Sequence, residues 1–283
     1  MDLSKRAMLV TLNISQWTAK KLSKKGTEEI CQKHGTNSSW AKASKTLVAD
    51  EELKKISSIA GEARTYHYSI TLPWSDSGQR ILPAKAYFDY TQTMRKFSDE
   101  FFDQVDKFTF IYPDLKEEAR KMLNGLFEDK DYPDSLKIRG KYKFETIIDP
   151  LPESTDFRVS LTDADTARIK AEIEDRTNAR IKEAMCDLWT RLFEVVTHIR
   201  EKLSQPDAIF RDTLIDNAKE LCGILPKLNI GNDQKLESLS NRVQAEIASL
   251  NPNTLRNNKA VRKETAETAD EIFNLMSSYM GSN

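Results

Sequence analysis

The chain has 283 residues, 31% of them charged, with nine glycines and nine prolines. Such a length supports a sizeable core without metal or disulfide staples, and such a composition favours long helices over loops. Forty-three lysines and arginines against 44 acidic residues leave a net charge of −1, which excludes steering of the whole molecule onto nucleic acid or an anionic membrane.

The N-terminal apolar stretch is too short for a signal peptide, and no apolar run approaches the length of a membrane span. Cys31, Cys186 and Cys222 are odd in number and far apart, which suits a reducing compartment, so the expected location is the cytoplasm.

Met8, Val10, Leu12 and Ile14 alternate, and predict a strand over residues 7–15 with one apolar face. The stretch SQWTAKKLSKKGTEEICQKHG reads as a helix interrupted by Gly26, followed by a small-residue loop over residues 35–39. Asp50 is positioned to cap a further helix over residues 50–64. In TYHYSITLPWSDSGQRILP, Pro73 and Pro83 frame a turn centred on Asp76-Ser77-Gly78, with Trp74 and Ile81 anchoring its sides. Arg80 then either braces a carboxylate or reaches a partner.

Tyr87, Tyr90, Met94, Phe97, Phe101, Val105, Phe108 and Tyr112 recur every three or four residues and form one helical stripe. Pro113 is expected to end that helix, with Leu115, Ala119, Met122 and Leu126 forming an antiparallel second one. Two alternating runs, Phe144-Thr146-Ile148 and Phe157-Val159-Leu161, predict strands that join the first in a three-stranded sheet. Thr162 and Asp165 form a capping pair for a helix of some forty residues, roughly 60 Å long at about 1.5 Å per residue.

Pro206 closes that helix, and a shorter antiparallel partner runs to Pro226, giving a coiled-coil-like hairpin. Its first half, AEIEDRTNARIKEA, is polar enough to be a solvated arm or a surface awaiting another chain. Two last helices, around Leu236 to Leu250 and Val261 to Tyr279, are separated by Asn251-Pro252. The expected fold is thus α+β, mainly α, with a long helical hairpin, a helical body and a small antiparallel sheet. Residues 1–161 are read as an N-terminal body and residues 162–283 as a helical region carrying the arm.

LPWSDSGQRILPAKAYFDY, FIYPDLKEEARKMLNGLF, DYPD, DPLPESTDFRVSL and LRNNKAVRKETAETADEIFNLMSSYMG together resemble a bacterial and bacteriophage family of domains of unknown function. Leu72-Pro73-Trp74 with Gly78 and Arg80, and Asp156-Phe157-Arg158, carry the likeness most clearly. Members of that family are encoded on phages and integrative elements near a MoxR-type AAA ATPase and a von Willebrand factor A protein. The resemblance implies a partner machine of that kind and transfers no catalytic residue.

Signatures for phosphate loops, dinucleotide binding, zinc and hydrolase chemistry are absent, and no catalytic, cofactor-binding or metal-ligating residue is assigned. His34, His67 and His198 would all have to converge to hold a metal. Cys186 and Cys222 read as buried thiols on apolar helix faces. Glu117-Glu118, Asp129-Asp131 and Asp163-Asp165 read as solvated faces and helix caps, with a cryptic carboxylate–metal enzyme as one alternative.

Residues 1–45 hold nine basic side chains against three acidic ones, with Trp17 and Trp40 among them. A nucleic-acid-binding surface is therefore the other alternative. The leading expectation is a non-catalytic phage or mobile-element protein of the bacterial host cytoplasm. It would self-associate and bind a larger protein assembly, either AAA ATPase machinery or a host defence complex that it inhibits. Candidate partner-binding residues are Trp74 and Arg80 at the corner, Lys20, Lys21, Lys24 and Lys25 in the basic stretch, and Glu172, Arg176 and Arg180 on the arm.

Overall fold

A computed structural model describes residues 5–49, 51–153, 162–205 and 208–280. In chain order the elements are β1 (Ala7–Ser15), β2 (Lys20–Ser23), α1 (Lys24–His34), β3 (Ala43–Thr46), α2 (Glu51–Ser69), β4 (Leu72–Pro73), β5 (Arg80–Pro83) and α3 (Tyr87–Leu123). They continue with α4 (Ser135–Arg139), β6 (Lys143–Asp149), α5 (Asp163–Ser204), α6 (Thr213–Leu228), α7 (Gln234–Val243), α8 (Pro252–Asn257) and α9 (Lys259–Met280). One four-stranded sheet has the order β4-β5-β1-β6, and β2 with β3 forms a second. The protein is therefore α+β and mainly α, as its patterning predicts. Among the described residues, no helix is long and apolar enough to cross a membrane.

The chain divides into two compact units, each assembled from separated stretches. The first takes in residues up to Thr11, Tyr68–Phe88 and everything from Ile148; the second takes in Leu12–His67 and Asp89–Ile147. The positions of Asp50, Pro206 and the run Phe157-Val159-Leu161 lie outside the described residues.

In the first unit, β1 pairs antiparallel with β5 in the register Ala7↔Pro83 to Val10↔Arg80, and β5 pairs with β4. The α5 stripe Ala184, Leu188, Leu192, Val196, Ile199 and Leu203 is fully buried against α6, α7 and α9. Its spacing of three or four residues keeps those side chains on one face. Thr162 caps α5 by accepting from the Asp165 amide at 3.2 Å.

At the other end of α5, Arg262 of α9 donates to the carbonyls of Lys202, Leu203, Gln205 and Ala208 at 3.0, 3.3, 2.5 and 2.9 Å. A cation there complements the negative end of the helix. Cys222 is buried in this core, but Cys186 is exposed; two residues before Leu188, it sits well off the buried stripe.

In the second unit the aromatic stripe of α3 forms the core, with Phe101 and Phe108 meeting Tyr142 at 6.1 and 6.3 Å between ring centroids. Contrary to expectation, Pro113 does not end the helix, because α3 runs unbroken through it. Pro113 is exposed while Tyr112 and Ala119 are buried. Water can reach the carbonyl left without its amide partner, and continuous packing on the other face outweighs a cost of about 3 kcal/mol.

The helix expected over the region around Gly26 is also revised. Lys20–Ser23 is a strand, and α1 begins only after Ser23 accepts from the Gly26 amide at 3.1 Å. A Cβ on Gly26 would lie 3.2 Å from Ser23 Oγ and 3.3 Å from Ala43 Cβ, so glycine is what lets α1 settle against β3.

Candidate interaction surfaces

The corner in the first unit is built from β4, a turn and β5. Ser75 and Gln79 close the turn at 3.2 Å, and Gly78 takes φ +90, a conformation open to glycine. Trp74 is only 7% exposed, and the Arg180 guanidinium lies over its ring at 5.1 Å.

Arg80 donates to Thr71 Oγ1 at 2.7 Å and to the Thr71 carbonyl at 3.1 Å, and lies over the Tyr68 ring at 4.9 Å. It braces a threonine, where a carboxylate was expected. Arg191 reaches the Ser69 and Thr71 carbonyls at 3.1 and 2.9 Å and pairs with Asp187 at 2.8 Å. Burial, followed by the like charge of Arg191, pulls the Arg80 pKa down from its ordinary value. Both Trp74 and Arg80 therefore hold the corner together.

Along α5 the side chains divide differently. From Asp163 to Glu183 none is buried, and the stripe of buried residues starts at Ala184. Glu172 and Arg176 are exposed, whereas Arg180 is half-buried against Trp74. In this half, Arg168 makes the described ion pairs, at 3.5 Å to Asp165 and 4.0 Å to Glu172.

The basic region of the second unit is a small module in which β2 and β3 pair antiparallel and α1 connects them. Lys21 and Lys45 stand opposite each other in the register, an arrangement that repels unless a counter-charge intervenes. Asp131 supplies it, with its two oxygens 2.7 Å from Lys21 Nζ and 2.8 Å from Lys45 Nζ. Lys45 also donates to the Leu126 carbonyl at 2.6 Å, and Lys25 to that of Gly125 at 3.3 Å. Burial raises the Asp131 pKa, but the two ammonium groups outweigh it and hold the carboxyl below its usual value. Asp131 is thus a buried counter-ion and departs from the expected solvated face.

The four nominated lysines split accordingly: Lys21 and Lys25 anchor the module, while Lys20 and Lys24 are exposed and make no ion pair among the described residues. The two tryptophans split as well. Trp17 packs on Phe108 and Tyr112 at 6.1 and 5.8 Å, while Trp40 is 86% exposed. Nothing in the sequence marks that difference, since an isolated tryptophan in a polar loop carries no periodicity.

Among the histidines, His67 is buried with Nδ1 2.8 Å from the Tyr90 hydroxyl, and His34 and His198 are exposed. No group of three or more His, Cys, Asp or Glu side chains able to hold a metal ion occurs among the described residues. Compared with protein-family models, curated proteins and solved structures, the chain gives no match.

Proposed function

We propose that the chain is a cytoplasmic binding protein of a phage or mobile element that self-associates and engages a larger protein assembly. The observation that carries this reading is the first half of α5, a long run of helix with no buried side chain. A helix that is polar all round persists by bridging, by many internal ion pairs or by meeting another chain, and the described pairs here converge on the single Arg168. Glu172 and Arg176 offer alternating charge to a partner helix, which suits pairing between copies as well as to a larger assembly. The family resemblance makes a AAA ATPase with its von Willebrand factor A protein the first assembly to test, with a host defence complex as the second.

The test is light scattering on the full chain, on a variant lacking residues 163–177, and on the Glu172→Lys, Arg176→Glu double variant. All should melt at similar temperatures, because the buried stripe from Ala184 onward is kept. The wild-type chain should be multimeric and the shortened one monomeric. Identical masses would sink the arm as the surface of self-association. Capture of an ATPase by the wild-type chain and its loss from both variants would support the wider reading.

A further inference from the structure

Trp40 is held open by its backbone. Asn37 accepts from the amides of Trp40 and Ala41 through its carbonyl, each at 3.1 Å, and from the Ser39 amide through Oδ1 at 3.1 Å. The Ser39 hydroxyl also donates to Asn37 Oδ1. The ends of the loop are fixed as well, by the Thr36 amide on the Cys31 carbonyl at 3.1 Å and the Ala43 amide on Thr27 Oγ1 at 3.0 Å. A large indole displayed at 86% exposure on so pinned a turn is a preformed feature, with little order left to be gained on binding.

Its surroundings narrow the partner. Residues 20–46 contain seven lysines against two glutamates, and with the Asp131 carboxylate that Lys21 and Lys45 share the local excess is four positive charges in a chain of net charge −1. Lys20, Lys24, Lys33 and Lys42 are exposed and make no ion pair among the described residues. Lys33 sits in the last turn of α1, just before the loop, and Lys42 directly after Trp40 and Ala41. The centre of a protein interface surrounds an aromatic anchor with apolar groups and is depleted in lysine, serine and alanine. Here Ser38, Ser39, Ala41 and Lys42 flank the ring. Single-stranded nucleic acid asks for this combination: an open aromatic face for a base, ammonium groups for the neighbouring phosphates, and small hydroxyl and amide side chains for phosphate oxygens.

We infer that the β2–α1–β3 module is a binding site for single-stranded nucleic acid, with Trp40 as the stacking platform and Lys33 and Lys42 as its phosphate contacts. This function is separate from protein binding by α5, and each can fail without the other. Sequence preference at such a site is weak, because every base has a face to stack.

The experiment titrates the full-length chain with a homothymidine oligonucleotide of about 15 nucleotides, the same length of oligouridine, and a duplex, at about 50 and 200 mM salt. Quenching of indole emission that disappears in Trp40→Ala assigns the contact to Trp40, the tryptophan that is 86% exposed, and the anisotropy of a fluorescently labelled oligonucleotide reads affinity in every variant, Trp40→Ala included. Expected are quenching by both single strands, weaker binding of the duplex, and a steep loss of affinity as salt rises. Trp40→Ala should weaken binding about tenfold and Trp40→Phe much less, with unchanged melting temperatures. Lys33→Glu and Lys42→Glu should each lower the salt slope by about one. No binding at low salt, equal affinity for duplex and single strand, or unchanged affinity in Trp40→Ala would overturn the assignment. So would capture of polyglutamate in place of the oligonucleotides, which would make this an acidic-protein site.

Discussion

Lys45 and Asp131 form an ion pair at 2.8 Å in which each side chain is only 3% exposed. It ties β3 to the turn after α3 inside the second unit, and Lys21 approaches the other carboxylate oxygen from the half-exposed side. Taking both charges out of water is costly, and the Leu126 carbonyl and the second lysine offset part of that cost.

Removing one partner leaves the other buried without it. Lys45→Met should lower stability by about 3 kcal/mol in urea unfolding, and Lys45→Met with Asp131→Leu should recover a good part of that loss. A double variant whose loss equals the sum of the Lys45→Met and Asp131→Leu losses would show that the two charges do not act as a pair. The pH dependence has a definite sign. Because the Asp131 pKa is lowered in the folded chain, its stabilisation is complete above the ordinary aspartate value of about 4 and disappears as pH falls through the lowered one. The double variant should lack that acid-side component.

Arg262 should prove a sensitive position in the first unit. It is 8% exposed and reaches four carbonyls beyond or within the last turn of α5. Arg262→Ala leaves those acceptors short of a donor and should cost about 3 kcal/mol. Arg262→Lys should restore only part, since one ammonium cannot span acceptors that a planar guanidinium bridges. Thermal melts of the three proteins check this, and a full rescue by lysine would contradict it.

How much of this was legible beforehand follows from period and length. The strand Ala7–Ser15 and the forty-residue helix α5 are readable because their apolar spacing repeats long enough to be unambiguous. β2 and β3, with sequences KKLS and ASKT, carry no such repeat and exist through their pairing with each other. The Lys45–Asp131 pair was invisible for a related reason: which lysine points inward depends on the register of that small sheet. Pro113 misled in the opposite direction, because a local rule was overridden by packing on both sides of it. The exposure of Trp40 and the half-buried packing of Trp17 differ only through tertiary contacts that neither residue's neighbours in sequence announce.

The tyrosines of the second unit give a last and independent measurement. Tyr112 and Tyr132 are pushed up to about 12, chiefly by burial and further by nearby carboxylates. Burial also pushes Tyr90 and Tyr142 up. The folded chain therefore holds these phenolic protons more tightly than the unfolded one. Their contribution to stability is complete below the ordinary tyrosine value of about 10 and is lost as pH rises through the raised ones. Near-ultraviolet titration should show these four tyrosines ionising late, together with unfolding. The hydroxyls of Tyr112, Tyr132 and Tyr142 are buried and have no hydrogen-bond partner among the described residues. Tyr142→Phe should therefore remove one late-titrating group at a cost of no more than about 1 kcal/mol, and can even stabilise the chain. A substantially larger loss would mean that the Tyr142 hydroxyl is bonded in the folded protein, and that burial alone does not set its titration.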